Sequence, residues 1–184
     1  MKKLFLYLII ALISSTFNAQ TNYFTRTGSI KFEASVPSFE EVKTTNNTVS
    51  AILNVTTDEI AVLALVKGFR FKIALMEEHF NESFAESTKY PKATFSGKID
   101  NFSIDSLSKE PTIFYLNGKL TFHGKTVYIN PKALISLHEN KIYLTSNFVL
   151  NPQDFNIKIP KIVRKKVAKT VEVTINFVLT LKNQ

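Results

Sequence analysis

"TVEVTINFVLTL", residues 170–181, decides the fold class: Val171, Val173, Ile175, Phe177, Leu179 and Leu181 alternate with Glu172, Thr174 and Asn176. A strict period of two puts every second side chain on one face, which is the mark of a strand that buries one side and shows the other to water. The same grammar recurs upstream. Residues 25–34 set Ile30, Phe32 and Ala34 on one face, and residues 48–56 do so with Val49, Ala51, Leu53 and Val55. Residues 92–102 align Ala93, Phe95, Gly97 and Ile99, and residues 112–122 align Phe114, Leu116, Gly118, Leu120 and Phe122. Residues 60–66 are apolar on both faces, while 126–137 and 142–150 complete the set, joined by short turns such as His123-Gly124-Lys125.

About eight strands near ten residues long, with short connections, predict an antiparallel all-β domain. Closure into a barrel removes exposed edges, and an eight-stranded barrel has an interior just wide enough for one small ligand. No Pro/Gly/Ser linker, repeat or low-complexity block divides the chain.

The first residues predict export. Lys2 and Lys3 precede an apolar run from Leu4 to Ile13, and small residues lead to a cut before Gln20. That is the layout of a signal peptide, 1–19, and the run is too short to span a bilayer. The expected mature domain is 20–184, with a periplasmic or secreted location. The chain has no Cys, so neither a disulfide nor a lipid-anchoring thiol is available. Losing Lys2 and Lys3 lowers the formal charge from +8 to +6, a modest excess that serves solubility.

Two stretches depart from the strand pattern. "LMEEHFNESFAESTKYPKATF", 75–95, has helical spacing up to Pro91. Leu75, Met76, Phe80 and Phe84 are expected on its apolar side, with Glu77, Glu78, Glu82 and Glu86 facing water; the segment would cap one barrel opening. "IPKIVRKKVAK", 159–169, places Ile159, Ile162, Val163 and Val167 on one stripe among basic residues. It reads as a short amphipathic helix or an irregular loop at the barrel rim. Lys161, Arg164, Lys165 and Lys166 are its candidate contacts with an anionic membrane surface.

Catalytic signatures are missing: there is no Gly-x-Ser-x-Gly and no phosphate-cradling glycine loop. His79, His123 and His138 are isolated, without metal-ligand spacing, so no metal and no required cofactor are expected. His79 and His123 are instead candidate polar contacts at a barrel end. Export and the lack of an exposed aromatic stacking face argue against nucleic acid. Four Asn-x-Ser/Thr sequons, at Asn46, Asn54, Asn81 and Asn101, are read as chance.

"HFNESFAESTKYPKATFSGKI", "LNGKLTFHGKT" and "FVLNPQDFNI", in that order, resemble the YceI-like family of exported lipid-binding proteins. The matching positions are Tyr90-Pro91 through Phe95, Gly118-Lys119-Leu120-Thr121-Phe122-His123-Gly124, and Asp154-Phe155. The resemblance implies an extended lipocalin-like barrel with a short helical insertion. It also implies a polyisoprenoid chain, such as a quinone or polyprenyl tail, or a similar amphiphile inside. Many members carry Arg before an Asp-Phe-Gly turn where this chain reads Asn151-Pro152-Gln153-Asp154-Phe155-Asn156. The headgroup end is therefore the part least transferable.

The expected cavity lining is Phe32, Phe69, Phe71, Met76, Phe80, Phe84, Phe95, Phe114, Leu116, Leu120, Phe122, Phe148, Phe155 and Phe177. The expected function is non-catalytic: a carrier or sequestering protein for that chain, as a monomer or a dimer. The alternative is a self-filled, stress-related barrel that binds a protein partner and no lipid.

Overall fold

The computed structural model describes residues 21–36, 41–161 and 167–182. The expected signal peptide, 1–19, and Arg164, Lys165 and Lys166 lie outside them. Ten strands form: β1 (Asn22–Glu33), β2 (Lys43–Asn54), β3 (Glu59–Leu65), β4 (Arg70–Phe71), β5 (Lys92–Ile99), β6 (Thr112–Phe122), β7 (Lys125–Ile129), β8 (Lys132–His138), β9 (Lys141–Leu150) and β10 (Val171–Leu181). Eight of them make a closed antiparallel ring, in the order β1-β10-β9-β8-β6-β5-β3-β2, with β2 pairing back to β1. The barrel closure expected from the alternation is therefore present. The alternation of β10 becomes alternate burial, with Val173, Ile175, Phe177 and Leu179 inside.

Residues 126–137 are not one uninterrupted strand. β7 and β8 both pair with β6, and the register is continuous from Phe122↔Lys125 to Thr112↔Ile135. The ladder breaks at Asn130-Pro131, because Pro131 has no N–H to give and serves only as an acceptor for the Leu116 amide. The break has a geometric result. β9 pairs with β8 only as far as Ala133↔Ser146, so beyond Ser146 it keeps β10 alone, while β7 keeps β6 alone. A seam opens between β7 and β9. The short 3-10 turn Pro152–Phe155 packs across it against β7.

Between β3 and β5 the chain leaves the ring for one excursion. A 3-10 turn (Val66–Gly68) leads through β4, which pairs with the start of β2, into helix α1 (Ala74–His79). A single π-helical turn, Phe80–Phe84, follows. The expected helical segment is thus short, and it ends before Glu86, whose φ is 44°. Leu75 is 58% exposed and does not join the apolar side. Glu77 is not simply solvated either, since its carboxylate accepts from the Arg70 guanidinium and the Phe71 amide.

Asn46 anchors the base of this excursion. It is fully buried, its amide donates to Leu65 O at 3.0 Å, and its Oδ1 accepts from the Thr48 amide and hydroxyl at 2.9 and 2.8 Å. All its strong bonds are made inside the fold, so this sequon is sealed in the native state. Asn46→Ala strands the Leu65 carbonyl and the Thr48 amide; a loss of about 2–3 kcal/mol is expected from urea unfolding. Thr56→Ala, which keeps the exposed turn at Asn54, is expected to change stability by less than about 0.5 kcal/mol.

Candidate functional site

The ring is hollow at one end and packed at the other. The cavity measures about 630 Å³ and is bounded by the C-terminal halves of β1, β6 and β9, the length of β3, the N-terminal halves of β5 and β10, and the excursion carrying α1. Beyond it, Leu53, Ile99, Phe114, Ile135, Ile142, Leu144 and Leu179 fill the barrel, and Phe102 stacks on Phe114 at 5.6 Å to close that end. This volume lies in the ordinary range for small-molecule sites, about 300–1,000 Å³.

Of the residues expected to line a cavity, Phe32, Phe69, Phe71, Met76, Phe80, Phe84, Phe95, Leu116, Leu120, Phe122, Phe148, Phe155 and Phe177 face it. Phe114 does not. It points inward as its alternation requires, but it sits too near the start of β6 and is consumed by the packed end. Sequence reasoning missed other wall residues, among them Ile30, Ile60, Val62, Ala93, Ile129, Leu150, Ile157, Ile159, Val167, Val171, Val173 and Ile175. Period two was the signal for those on strands. Ile157 and Ile159 stand in a segment without regular structure, where no period exists to read.

Four phenyl rings tie the cap to the rim. Phe80 lies 5.3 Å from Phe32, 6.0 Å from Phe69 and 5.2 Å from Phe71, and Phe32 meets Phe69 at 5.3 Å. Offset and edge contacts of this kind add about 0.5–1.5 kcal/mol per pair beyond area burial. The wall is otherwise almost free of polar groups. Among the described residues only Thr94 and His79 interrupt it, and His79 is exposed as well as cavity-facing, so the cavity reaches solvent beside α1.

His123 makes polar contacts at the mouth end of the barrel. It does not face the cavity; it clasps three cavity-forming segments from outside. Nδ1 lies 2.9 Å from Phe155 O, and Nε2 lies 2.6 Å from Glu86 Oε2. A carbonyl oxygen can only accept, so Nδ1 carries a proton. Tyr90 packs edge-on against the imidazole at 4.7 Å. Glu86, His123, Gly124 and Asn156 all have positive φ, so the clasp concentrates backbone strain. Gly124 is required twice over, since at φ 71° a Cβ would also stand 2.5 Å from Tyr90 Cε1. The pairing of Glu86 with His123 spans 37 residues, and no local pattern announces it.

Lys161 is exposed, two residues from Ile159. Among the described residues, no group of three or more His, Asp and Glu could hold a metal ion.

A family model described as the YceI-like domain matches residues 15–179. No curated protein sequence matches the chain. Solved structures do. A polyisoprenoid binding domain from Saccharophagus degradans, implicated in plant cell wall breakdown, superposes with a TM-score of 0.77 at 14% identity, covering 89% of this chain and 99% of that one. Burkholderia cenocepacia BcnA gives 0.66 at 15% identity, over 83% and 96%. A Campylobacter jejuni YCEI protein gives 0.59 at 17% identity, over 81% and 90%. At these identities the likeness is one of fold.

The clasp is testable through stability. His123→Ala is expected to cost about 2–3 kcal/mol, because Phe155 O and Glu86 both lose a partner. Gly124→Ala is expected to cost about 1–3 kcal/mol through strain and overlap with Tyr90. Lys125→Ala, exposed on the same hairpin, serves as the control in the same urea titration, with a change below about 0.5 kcal/mol.

Proposed function

This chain belongs to the YceI-like domain family, and from that membership and the shape of its interior we propose that it binds the tail of a polyisoprenoid or similar long-chain amphiphile. The observation that carries the reading is the composition of the wall: of the 32 described residues that line the cavity, Thr94 and His79 alone bear polar side-chain atoms. A site without convergent polar groups recognises by shape and apolar area. Each buried CH₂ contributes roughly 0.8 kcal/mol, so a few isoprene units reach micromolar affinity or better after ordering costs. The polyisoprenoid binding domain with the same fold supports this ligand class.

The same wall supports a carrier rather than an enzyme, since it offers neither a nucleophile nor a paired acid and base. Export fits the role: Lys2, Lys3 and the apolar run to Ile13 precede the family match, which begins at residue 15. Exchange with a membrane fits as well. Ile157 and Ile159 line the cavity while Lys158 and Lys161, between and beside them, are exposed. Basic residues so placed would hold the mouth against anionic headgroups, at about 1 kcal/mol each.

Native mass spectrometry on protein purified from the cells that make it, followed by organic extraction, tests the proposal. A stoichiometric adduct with an isoprenoid mass is the expected result. Bare protein whose melting temperature stays unmoved when long-chain prenyl alcohols are added would overturn it. A rim variant sharpens the test. Val171 is half-buried on the cavity wall at the start of β10, and Val171→Glu is expected to weaken prenyl-alcohol binding at least tenfold while the fold survives.

A further inference from the structure

We infer that the cavity measures tail length, with a floor of two phenyl rings that stops an isoprenoid at about five units. This rests on the carrier reading above and deepens it.

The floor is built at one level of the barrel. Along β10 the cavity is lined by Val173, Ile175 and Phe177 and then ends, because Leu179 belongs to the packed half. Along β6 it ends at Leu116, with Phe114 below, and along β5 at Phe95, with Ile99 below. Phe95 and Phe177 are thus the last aromatic side chains before solid core, 8% and 0% exposed.

Both rings are held there by glycines. Gly97 and Gly118 face each other across β5 and β6, leaving an inward position bare on two adjacent strands. The ring of Phe95 occupies that space: its Cζ lies 2.8 Å from where a Gly118 Cβ would stand. On the opposite wall, a Cβ on Gly28 would stand 2.6 Å from Cδ1 of Phe177. Gly28 falls where the ladders of β1 with β2 and β10 shift register, so the wall bends to admit the ring. Each ring therefore leans over a gap in the neighbouring strand, at the level where the cavity ends.

The capacity above the floor follows from its volume. An apolar cavity of about 150 Å³ takes one benzene, so about 630 Å³ holds on the order of 25 carbons, or five isoprene units. The first units gain burial as they enter. Units beyond the fifth stay in water and gain none.

The test is a length series of all-trans prenyl alcohols from 10 to about 45 carbons, bound by the full chain in competition with an apolar dye. Affinity is expected to rise at least tenfold per isoprene up to about 25 carbons and then to stay flat to the longest probe. Affinity that keeps climbing to the longest probe, or that shows no dependence on length, overturns the ruler while leaving the carrier reading intact. No binding at any length overturns both.

Phe177→Leu, which keeps an apolar side chain in the fully buried site, and Phe177→Ala are expected to move the plateau to longer alcohols, by about one isoprene for the alanine. A folded variant with an unmoved plateau removes Phe177 from the floor. Phe148→Leu, higher on the wall, is the comparison variant and is expected to leave the plateau length unchanged.

Discussion

Ring closure is the constraint from which the rest follows. β1 pairs with β2 on one side and β10 on the other, so the eight main strands close on themselves and enclose a volume, with the seam between β7 and β9 as the break in the ring. Once that volume exists, the inward side chains either fill it or leave it open. In this chain they do both. The half from Leu53 to Leu179 is as solid as any protein interior, and the half from Phe177 to the rim is a lumen. The second half stays exposed to whatever apolar molecule can enter.

Closure also creates the seam that the clasp repairs. Pro131 interrupts the strand opposite β6, β9 loses its neighbour after Ser146, and the turn from Pro152 to Phe155 covers the gap. Rings meet across that seam, with Phe122 and Phe155 at 5.9 Å. His123 then fastens the turn to the hairpin and, through Glu86, to the end of the cap. Backbone hydrogen bonds hold the ring of strands, whereas side chains hold its irregular mouth. That division follows from the break in the ladder.

The fold was legible in the sequence because period two survives at long range: every inward residue of β10 can be named from its own alternation. The cavity was legible only in part. Alternation tells which residues face inward but not how deep they sit, and so Phe114 and Phe95 look alike until β5 and β6 are aligned through Gly97 and Gly118. Glu86 was misread for a related reason. Counted from Glu78 in steps of four it belongs to a solvated helical stripe, yet the chain leaves helical geometry after Phe84 and turns the carboxylate onto His123. Pro131 was visible throughout, and as a residue without an amide proton it was the available signal that residues 126–137 could not pair without a break.

The separation of a solid half from an open half has a consequence for how such a chain diverges. Substitutions at part-buried lumen positions above Phe177, such as Ile30, Val62, Ile129, Leu150 and Val171, remove less packing than those in the closed end, so they fall where the cost to the native state is smallest. Descendants of this sequence are free to drift in wall composition and bore while the closed end stays put, and new binding preferences can accumulate neutrally before selection acts on any of them.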